Sequence, residues 1–339
     1  MSDRMVAASD TLSVISLGFL LIEDFAMLPY ASLIEPFRAA NTLSGTDYYA
    51  WQHYSVDGGP VRASNGLEIA VDGRLDRNAA PDILFVCAGG NPSAFRDSAT
   101  FAQLRRIAAG GTTIAGISGG PYILARAGLL AGRHCTIHWE HETAFREAFP
   151  DLEVEGGLYV RDGNRITCAG GIAGLDLAVE LIGEAHGPAL AAQVGEWHIR
   201  TQPRHGGGSQ RPSLAARYRV THPGIVSSLA AMEANIAEPL NHEDLAAHAG
   251  LSVRQLERLF AAHLGRSIGQ EYLRLRLEAA LRLLRETDLS RIEVAMACGF
   301  ADVSHFSRRF RAWFGTSPMQ ARRTPGLSPY QNAGAPRGA

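Results

Sequence analysis

Residues 246–268, AAHAGLSVRQLERLFAAHLGRSI, and residues 295–318, AMACGFADVSHFSRRFRAWFGTSP, spell one template twice. Each begins with small residues, a glycine, an apolar residue and a polar helix start, and continues with Arg, Phe, Gly and Ser at matched intervals. Gly250 pairs with Gly299, Arg258 with Arg308, Phe260 with Phe310, and Gly265 with Gly315. One such unit reads as a helix-turn-helix, in which a first helix braces a second that enters the major groove of DNA. Two units separated by a long helical stretch predict a bipartite DNA reader.

The helix starts around this repeat are unusually legible. Ser252 with Gln255, Ser267 with Gln270 and Ser290 with Glu293 each fit a capping box, in which the Ser oxygen accepts from the N3 amide and the N3 side chain returns to the Ser amide. The resulting registers predict helices over 223–236, 242–249, 252–264, 268–286, 290–298, 302–314 and 318–323, a seven-helix all-α domain. In the two recognition helices, Leu256, Leu259 and Phe260, and Phe306, Phe310 and Phe314, recur at helical spacing and must face the core. The opposite face is left for DNA.

Towards the N-terminus the periodicity changes. Strands over 12–22, 82–87, 112–117 and 164–168 alternate with helices over about 30–41, 98–109, 119–127 and 171–185, which argues for a doubly wound, flavodoxin-like α/β domain with a mostly parallel sheet. Such sheets bind ligands at the carboxyl ends of their strands. Between the two regions, QPRHGGGSQRP at 202–212 sets three consecutive glycines among prolines and polar residues and reads as a flexible linker. The expected organisation is an α/β sensor over 10–201, a flexible linker over 202–218, the DNA-reading domain over 219–323 and a disordered tail over 324–339.

Composition bounds this reading. At 339 residues, 46% hydrophobic and 19% charged, the chain has material for two or three cored domains. The net charge of −2 conceals an asymmetry, because residues 219–323 carry 14 arginines against 11 acidic residues, a mild bias that suits a local phosphate-binding face. All 32 Lys and Arg positions are Arg; base composition of the gene explains that without appeal to function. Cys87, Cys135, Cys168 and Cys298 are widely spaced with no C-x-x-C pair, so neither a disulfide framework nor a zinc site is suggested, and a reducing cytoplasm is the expected location. The apolar run Val14–Ile22 is too short to cross a bilayer, and no membrane association is expected.

At the repeat, A-x-x-x-G-[LF] followed by R-x-F and F-G-x-S-P resembles the DNA-binding domain of the AraC/XylS regulators over about 105 residues. The resemblance implies base contacts from Arg254, Glu257 and Arg258 in the first unit and from Val303, Ser304, Ser307 and Arg308 in the second. Arg is the natural reader of guanine O6 and N7, Glu accepts from cytosine N4, and a Val methyl meets thymine. Solvated helix-face charge is the competing reading for any one of these residues. Arg309 and Arg311 look like phosphate contacts, and rigidly linked units should read successive major grooves about 34 Å apart.

In the N-terminal region, the strand TTIAGI at 112–117 ends in Ser118, and Gly119-Gly120-Pro121 opens a helix. Gly116-Ile117-Ser118-Gly119-Gly120 thus satisfies G-x-S-x-G in the strand-turn-helix setting of a nucleophile elbow. Together with SLIEPFRAAN (32–41), FVCAGGNP (85–92), TIHWE (136–140) and ITCAGGIAGLDLAVELI (166–182), it resembles the PfpI-like, class I glutamine-amidotransferase-like domain found fused to AraC-type readers. That superfamily's enzymes carry Cys at the elbow, a His one strand later and a Glu after the first strand. Here the elbow holds Ser118, His138 suits the His position, and Ala26-Met27-Leu28-Pro29 occupies the place of the acid, with Glu23 and Asp24 too early and Glu35 inside the helix. No catalytic residue is therefore expected, since a serine without a base and an orienting acid is a poor nucleophile.

The elbow still offers a pocket. Backbone amides of Gly89, Gly90 and Gly119 are expected to form an anion-receptive notch, with Ser118 and His138 beside it and Trp139 lining it. Tyr30, Trp51 and Tyr54 join Trp139 as candidate faces for a ligand cation, with ordinary core packing as the alternative for each. His134, His138 and His141 lack the H-E-x-x-H arrangement and carry no metal expectation; no cofactor is expected either. The run IHWEHETAFREAFP (137–150) resembles the subfamily that senses glycine betaine, carnitine or arginine. The combined expectation is a transcription regulator, an activator by resemblance, that binds promoter DNA as a homodimer, answers a small amine or carboxylate metabolite and recruits RNA polymerase. A Ser118-dependent hydrolase or amidase tethered to DNA, or a ligand-independent DNA-binding dimer, are the rivals.

Overall fold

Strands rich in consecutive apolar residues, FLL at 19–21, ILFVCA at 83–88 and TIAGIS at 113–118, are buried along almost their whole length, the mark of a sheet covered on both faces. The structure, a computed structural model, describes residues 13–323 apart from 77 and 79. It divides into two units, one reaching His138 and resuming over Phe149–Gln210, the other comprising Trp139–Ala148 and the chain from Arg211 onward. The start of the expected first strand at residue 12, the first residues of the expected sensor and the expected tail at 324–339 lie outside the described residues.

The first unit lays down β1 (Ile15–Leu21), β2 (Tyr49–Ser55), the short antiparallel pair β3 (Val61–Arg62) and β4 (Glu68–Ile69), then β5 (Gly73–Arg74), β6 (Ile83–Ala88) and β7 (Thr113–Ser118). There follow the short parallel pair β8 (His134–Cys135) and β9 (Glu153–Val154), then β10 (Tyr159–Asp162) and β11 (Arg165–Cys168). Seven strands form one sheet in the order β10-β11-β7-β6-β1-β2-β5, parallel throughout except for β10 at one edge. Its helices are α1 (Met27–Ser44), α2 (Ser98–Ala109), α3 (Gly120–Arg126), α5 (Ala173–His186) and α6 (Pro188–Trp197), while α4 (Glu142–Ala148) belongs to the second unit. Because side chains alternate along a strand, Leu17, Phe19, Leu21, Phe85, Cys87 and Ile117 share one face, and they form a single core with Leu33 and Phe37 of α1 and Leu177 and Ile182 of α5. The other face meets α3, where Gly116 lies so close that a Cβ there would sit 2.6 Å from Pro121 N. Helices on both faces of a nearly all-parallel sheet are the doubly wound α/β arrangement.

The stretch expected to be a flexible linker is bonded along much of its length to the first unit. Gly206 O accepts from Leu158 N at 2.6 Å and from Tyr159 N at 3.3 Å. Arg204 pairs with Asp176, which is 3% exposed and also held by Arg200, just before the linker, at 2.7 Å. Gln210 Nε2 donates to Ile137 O and Gly157 O, each at 2.9 Å. The glycines serve close approach here, since a Cβ on Gly206 would sit 2.6 Å from Tyr159 O. The same composition that permits a loose chain also permits backbone to lie on backbone.

The second unit adds α7 (Leu214–Tyr218), α8 (Pro223–Ala234), α9 (His242–Ala249), α10 (Val253–Leu264), α11 (Ile268–Glu286), α12 (Arg291–Ala297), α13 (Val303–Phe314) and α14 (Pro318–Arg323). All three sequence-read capping boxes are formed, at Ser252, Ser267 and Ser290. The unit's described residues form one core with Leu229, Leu245, Leu256, Phe260 and Leu275 and another with Leu277, Leu284, Val294, Phe306 and Phe310. Helix α11 therefore contributes its first half to one core and its second half to the other.

Candidate functional site

Each repeat closes on the same backbone geometry. The paired glycines all take positive φ, Gly250 at 65° with Gly299 at 72°, and Gly265 at 67° with Gly315 at 73°, the conformation that ends a helix without Cβ strain. Gly299 is further constrained, because a Cβ would fall 2.5 Å from Pro239 Cδ. Arg276, from α11, holds this second turn: it donates to Cys298 O at 2.8 Å and Gly299 O at 2.6 Å and lies 4.1 Å from the Phe300 ring centre.

The recognition helices α10 and α13 bury Leu256 with Phe260 and Phe306 with Phe310 on their inner faces. Arg254 and Arg258 on α10, and Ser304, Arg308, Arg309 and Arg311 on α13, are exposed. Three of the residues carried over by resemblance are engaged in the fold instead of standing clear of it. Glu257 is half-buried; its carboxylate accepts from Ile268 N at 3.3 Å, an orphan donor in the first turn of α11, and lies 3.7 Å from His242. Ser307 Oγ donates back to Val303 O at 2.8 Å, and Val303 packs against the second core. Separation along the chain comes from α11, whose 19 residues span about 28 Å at roughly 1.5 Å per residue. That length is of the order of the separation between successive major grooves.

At the elbow, Ser118 ends β7 at φ 60° and is 6% exposed. Gly120 has no room for a side chain, its Cβ position being 2.1 Å from Val86 O, and a Cβ on Gly170 would stand 2.8 Å from Ser118 Cβ. The structure brings Gly89, Gly119 and Ser118 to the ends of neighbouring strands β6 and β7, with Gly90 next in the chain. Gly119 N is already spent on Ala88 O at 3.1 Å, so Gly89 and Gly90 remain of the three expected notch donors. Among the described residues Ser118 Oγ makes no hydrogen bond. Glu23 and Asp24 both pair with Arg62, at 3.1 Å each, and Glu35 pairs with Arg38.

Of the four aromatic candidates for facing a ligand cation, the three in the α/β unit take part in that unit's own packing. Tyr30 OH bonds His53 Nε2 at 2.8 Å and packs edge-on against Phe19 and Phe25. Tyr54 is buried, its hydroxyl donating to Gln52, and Trp51 packs on the sheet core. Half-buried His138 ends the first stretch of the α/β unit, whereas Trp139 belongs to the helical unit, its ring covered by the Arg211 guanidinium at 4.2 Å. His134 pairs with Glu155 at 2.8 Å and His141 with Glu286 at 2.9 Å. The buried thiols Cys87, Cys168 and Cys298 are pushed up in pKa by desolvation, Cys168 and Cys298 to about 12.

Comparison with known proteins joins the two halves. Residues 20–184 match the DJ-1/PfpI family and residues 245–324 match a helix-turn-helix domain. Over 327 residues the chain is 43% identical to the HTH-type transcriptional regulator CdhR of Pseudomonas aeruginosa, covering 94% of this chain and 96% of that one. The chain belongs to the AraC-type helix-turn-helix regulators that carry a DJ-1/PfpI domain. This regulator is also 40% identical to the HTH-type transcriptional regulator GlxA of Rhizobium meliloti, over 95% of its own length and 100% of GlxA. The chain is also similar to the solved structure of an AraC family transcriptional regulator from Pseudomonas putida, at 27% identity and TM-score 0.50, covering 54% of this chain and 99% of that one. No helix among the regulator's described residues is long and apolar enough to cross a membrane.

Sequence reasoning missed Arg276 and Asp176, both of which position elements without a local motif. Arg276 looks like one more surface arginine on α11; only its spacing from Gly299 and Phe300 in the folded unit gives it a task.

Proposed function

We propose that this regulator reads promoter DNA through α10 and α13, with Arg254, Arg258, Ser304 and Arg308 reaching base edges and Val303, Ser307 and Glu257 setting the helices that present them. The observation that carries the reading is the matched exposure of Arg258 and Arg308 at equivalent places on two helices whose inner faces are buried by Phe260 and Phe310. Selection of bound duplexes from a random library tests it. Two half-sites about ten base pairs apart are expected. Arg254→Ala should relax preference in one half-site and Arg308→Ala in the other, each at a cost of about 1–3 kcal/mol. A single half-site, or variants that weaken binding uniformly, would count against base reading by these residues.

The α/β unit is proposed to sense a small carboxylate-bearing metabolite, such as a betaine, carnitine or an amino acid, at the elbow formed by Gly89, Gly90, Ser118 and Gly119, with His138 of the same unit as a further candidate. It is read as a binding site and not a catalytic one. Ser118 Oγ has no bonded base among the described residues, and the acids after β1 are committed to Arg62. Thermal shift against a panel of these compounds, with turnover assayed in parallel, separates the readings. A shift without turnover supports a sensor, and turnover abolished by Ser118→Ala supports a hydrolase. Homodimer formation, recruitment of RNA polymerase as an activator and a cytoplasmic location complete the proposal.

A further inference from the structure

The helical unit contains a cavity of about 900 Å³, at the upper end of the range for small-molecule sites. Its wall runs from Trp139 and Thr143 through Arg211 and Tyr218 to Glu233 and Ala234 of α8 and to α11. The glutamates in this wall are already engaged. Glu233 accepts from Arg217 at 2.8 Å, and Glu142 from Arg146 at 2.9 Å. Glu271, 1% exposed, accepts from Tyr218 OH at 2.9 Å, Arg266 at 3.1 Å and Arg274, which also binds Glu278 at 2.5 Å. The donors are not all spent. Arg282 makes no hydrogen bond or ion pair with any described residue, and Arg217 Nε is buried without a partner. Apolar surface from Ile236, Leu275, Ala279 and Leu283 completes the lining.

We propose that this cavity binds a small organic anion, a carboxylate on a short apolar body, with Arg282 as its principal partner. The carboxylates are bonded while Arg217 Nε is buried without a partner and half-buried Arg282 has a charge interaction with Glu278 but no hydrogen bond, an asymmetry that selects an anion over a cation, since a buried donor left unpaired is costly. The apolar lining selects a body that water does not hold. This site lies in the helical unit, distinct from the elbow. One wall is the segment Trp139–Ala148, whose two ends both continue into the α/β unit and whose Ala144 shares a core with Phe306 and Phe310 of the second recognition helix. Occupancy of the cavity therefore bears on how that segment is held against the reader, through the His141–Glu286 bond at 2.9 Å and the Arg211–Trp139 stack.

Calorimetric titration of the full-length protein with pentanoate, and with the neutral pentanamide, tests the proposal. Saturable pentanoate binding in the millimolar range, absent for pentanamide, is expected. Arg282→Gln should weaken it at least about tenfold. Arg282→Lys should retain part of it, and Arg106→Gln, at an exposed position of α2, should leave it unchanged. If Arg282→Gln melts early, Ala297→Leu narrows the cavity without removing a charge and is expected to weaken binding as well. Equal binding of pentanamide, insensitivity to both cavity variants, or no saturable binding at tens of millimolar overturns the proposal. Loss of binding in Ser118→Ala but not in Arg282→Gln would place the anion at the elbow, overturning this site while leaving the sensor reading intact.

Discussion

A single guanidinium closes the second turn of the reader. Arg276 satisfies the carbonyl oxygens of Cys298 and Gly299 and covers Phe300, so replacing it with Met would keep some packing and strand both acceptors. Arg276→Met is expected to cost about 2 kcal/mol, the scale for hydrogen bonds from a charged donor, read as a lower denaturation midpoint with unchanged slope in chemical unfolding. Histidines in the α/β unit give a pH dependence of definite sign. Burial holds His53, His186 and His198 below the ordinary imidazole pKa. The unfolded chain therefore takes up protons near pH 6.5 that the native unit refuses, and stability falls as pH drops through that value towards 5. Melting temperatures measured between pH 7.5 and about 5 should decline, and a flat or rising profile would contradict it. At this scale the capping serines were legible in the sequence because cap and partner lie three residues apart. The place of Trp139 was not, because the Arg211 that covers it lies far along the chain and no short-range signal connects them.

At the scale of elements, the capping boxes make each helix start separable from its packing. Ser290→Ala removes the acceptor for Glu293 N and should lower stability by about 1 kcal/mol. Within the expected linker, residues 202–210 are held otherwise than their glycines and prolines suggest: Gly206 lies on Tyr159 and Gln210 reaches Ile137 and Gly157. Gly206→Ala is expected to displace this segment, seen as faster amide exchange at Leu158 and Tyr159, whose N–H groups donate to Gly206 O. Unchanged exchange would mean the contact is not held in solution. Element type was readable wherever period and caps agreed, as for α2, α9 and α11. Strand β2, YAWQHYS, escaped notice because polar Gln52 and His53 interrupt its apolar pattern, and α4 was not expected beside α11 because its partners are distant in sequence.

For the molecule as a whole, the repeat and the elbow were both visible in the sequence, and they mark the parts that the two family matches cover. Chemistry at the elbow was harder to read, since a G-x-S-x-G turn is shaped by packing constraints at Gly116, Gly120 and Gly170 that are the same whether or not Ser118 reacts. In the reader, two helix-turn-helix units, each with its own core, share α11 as a spacer, and on the proposed function they engage DNA together. The most direct measurement is the affinity of the full-length protein, at fixed salt, for its selected operator and for the same operator with five base pairs inserted between the half-sites, which turns one half-site to the opposite face of the duplex. Affinity should fall by roughly one to three orders of magnitude, towards that of a single half-site. Equal affinity for the two operators would contradict it, showing that the two units do not read DNA as one body.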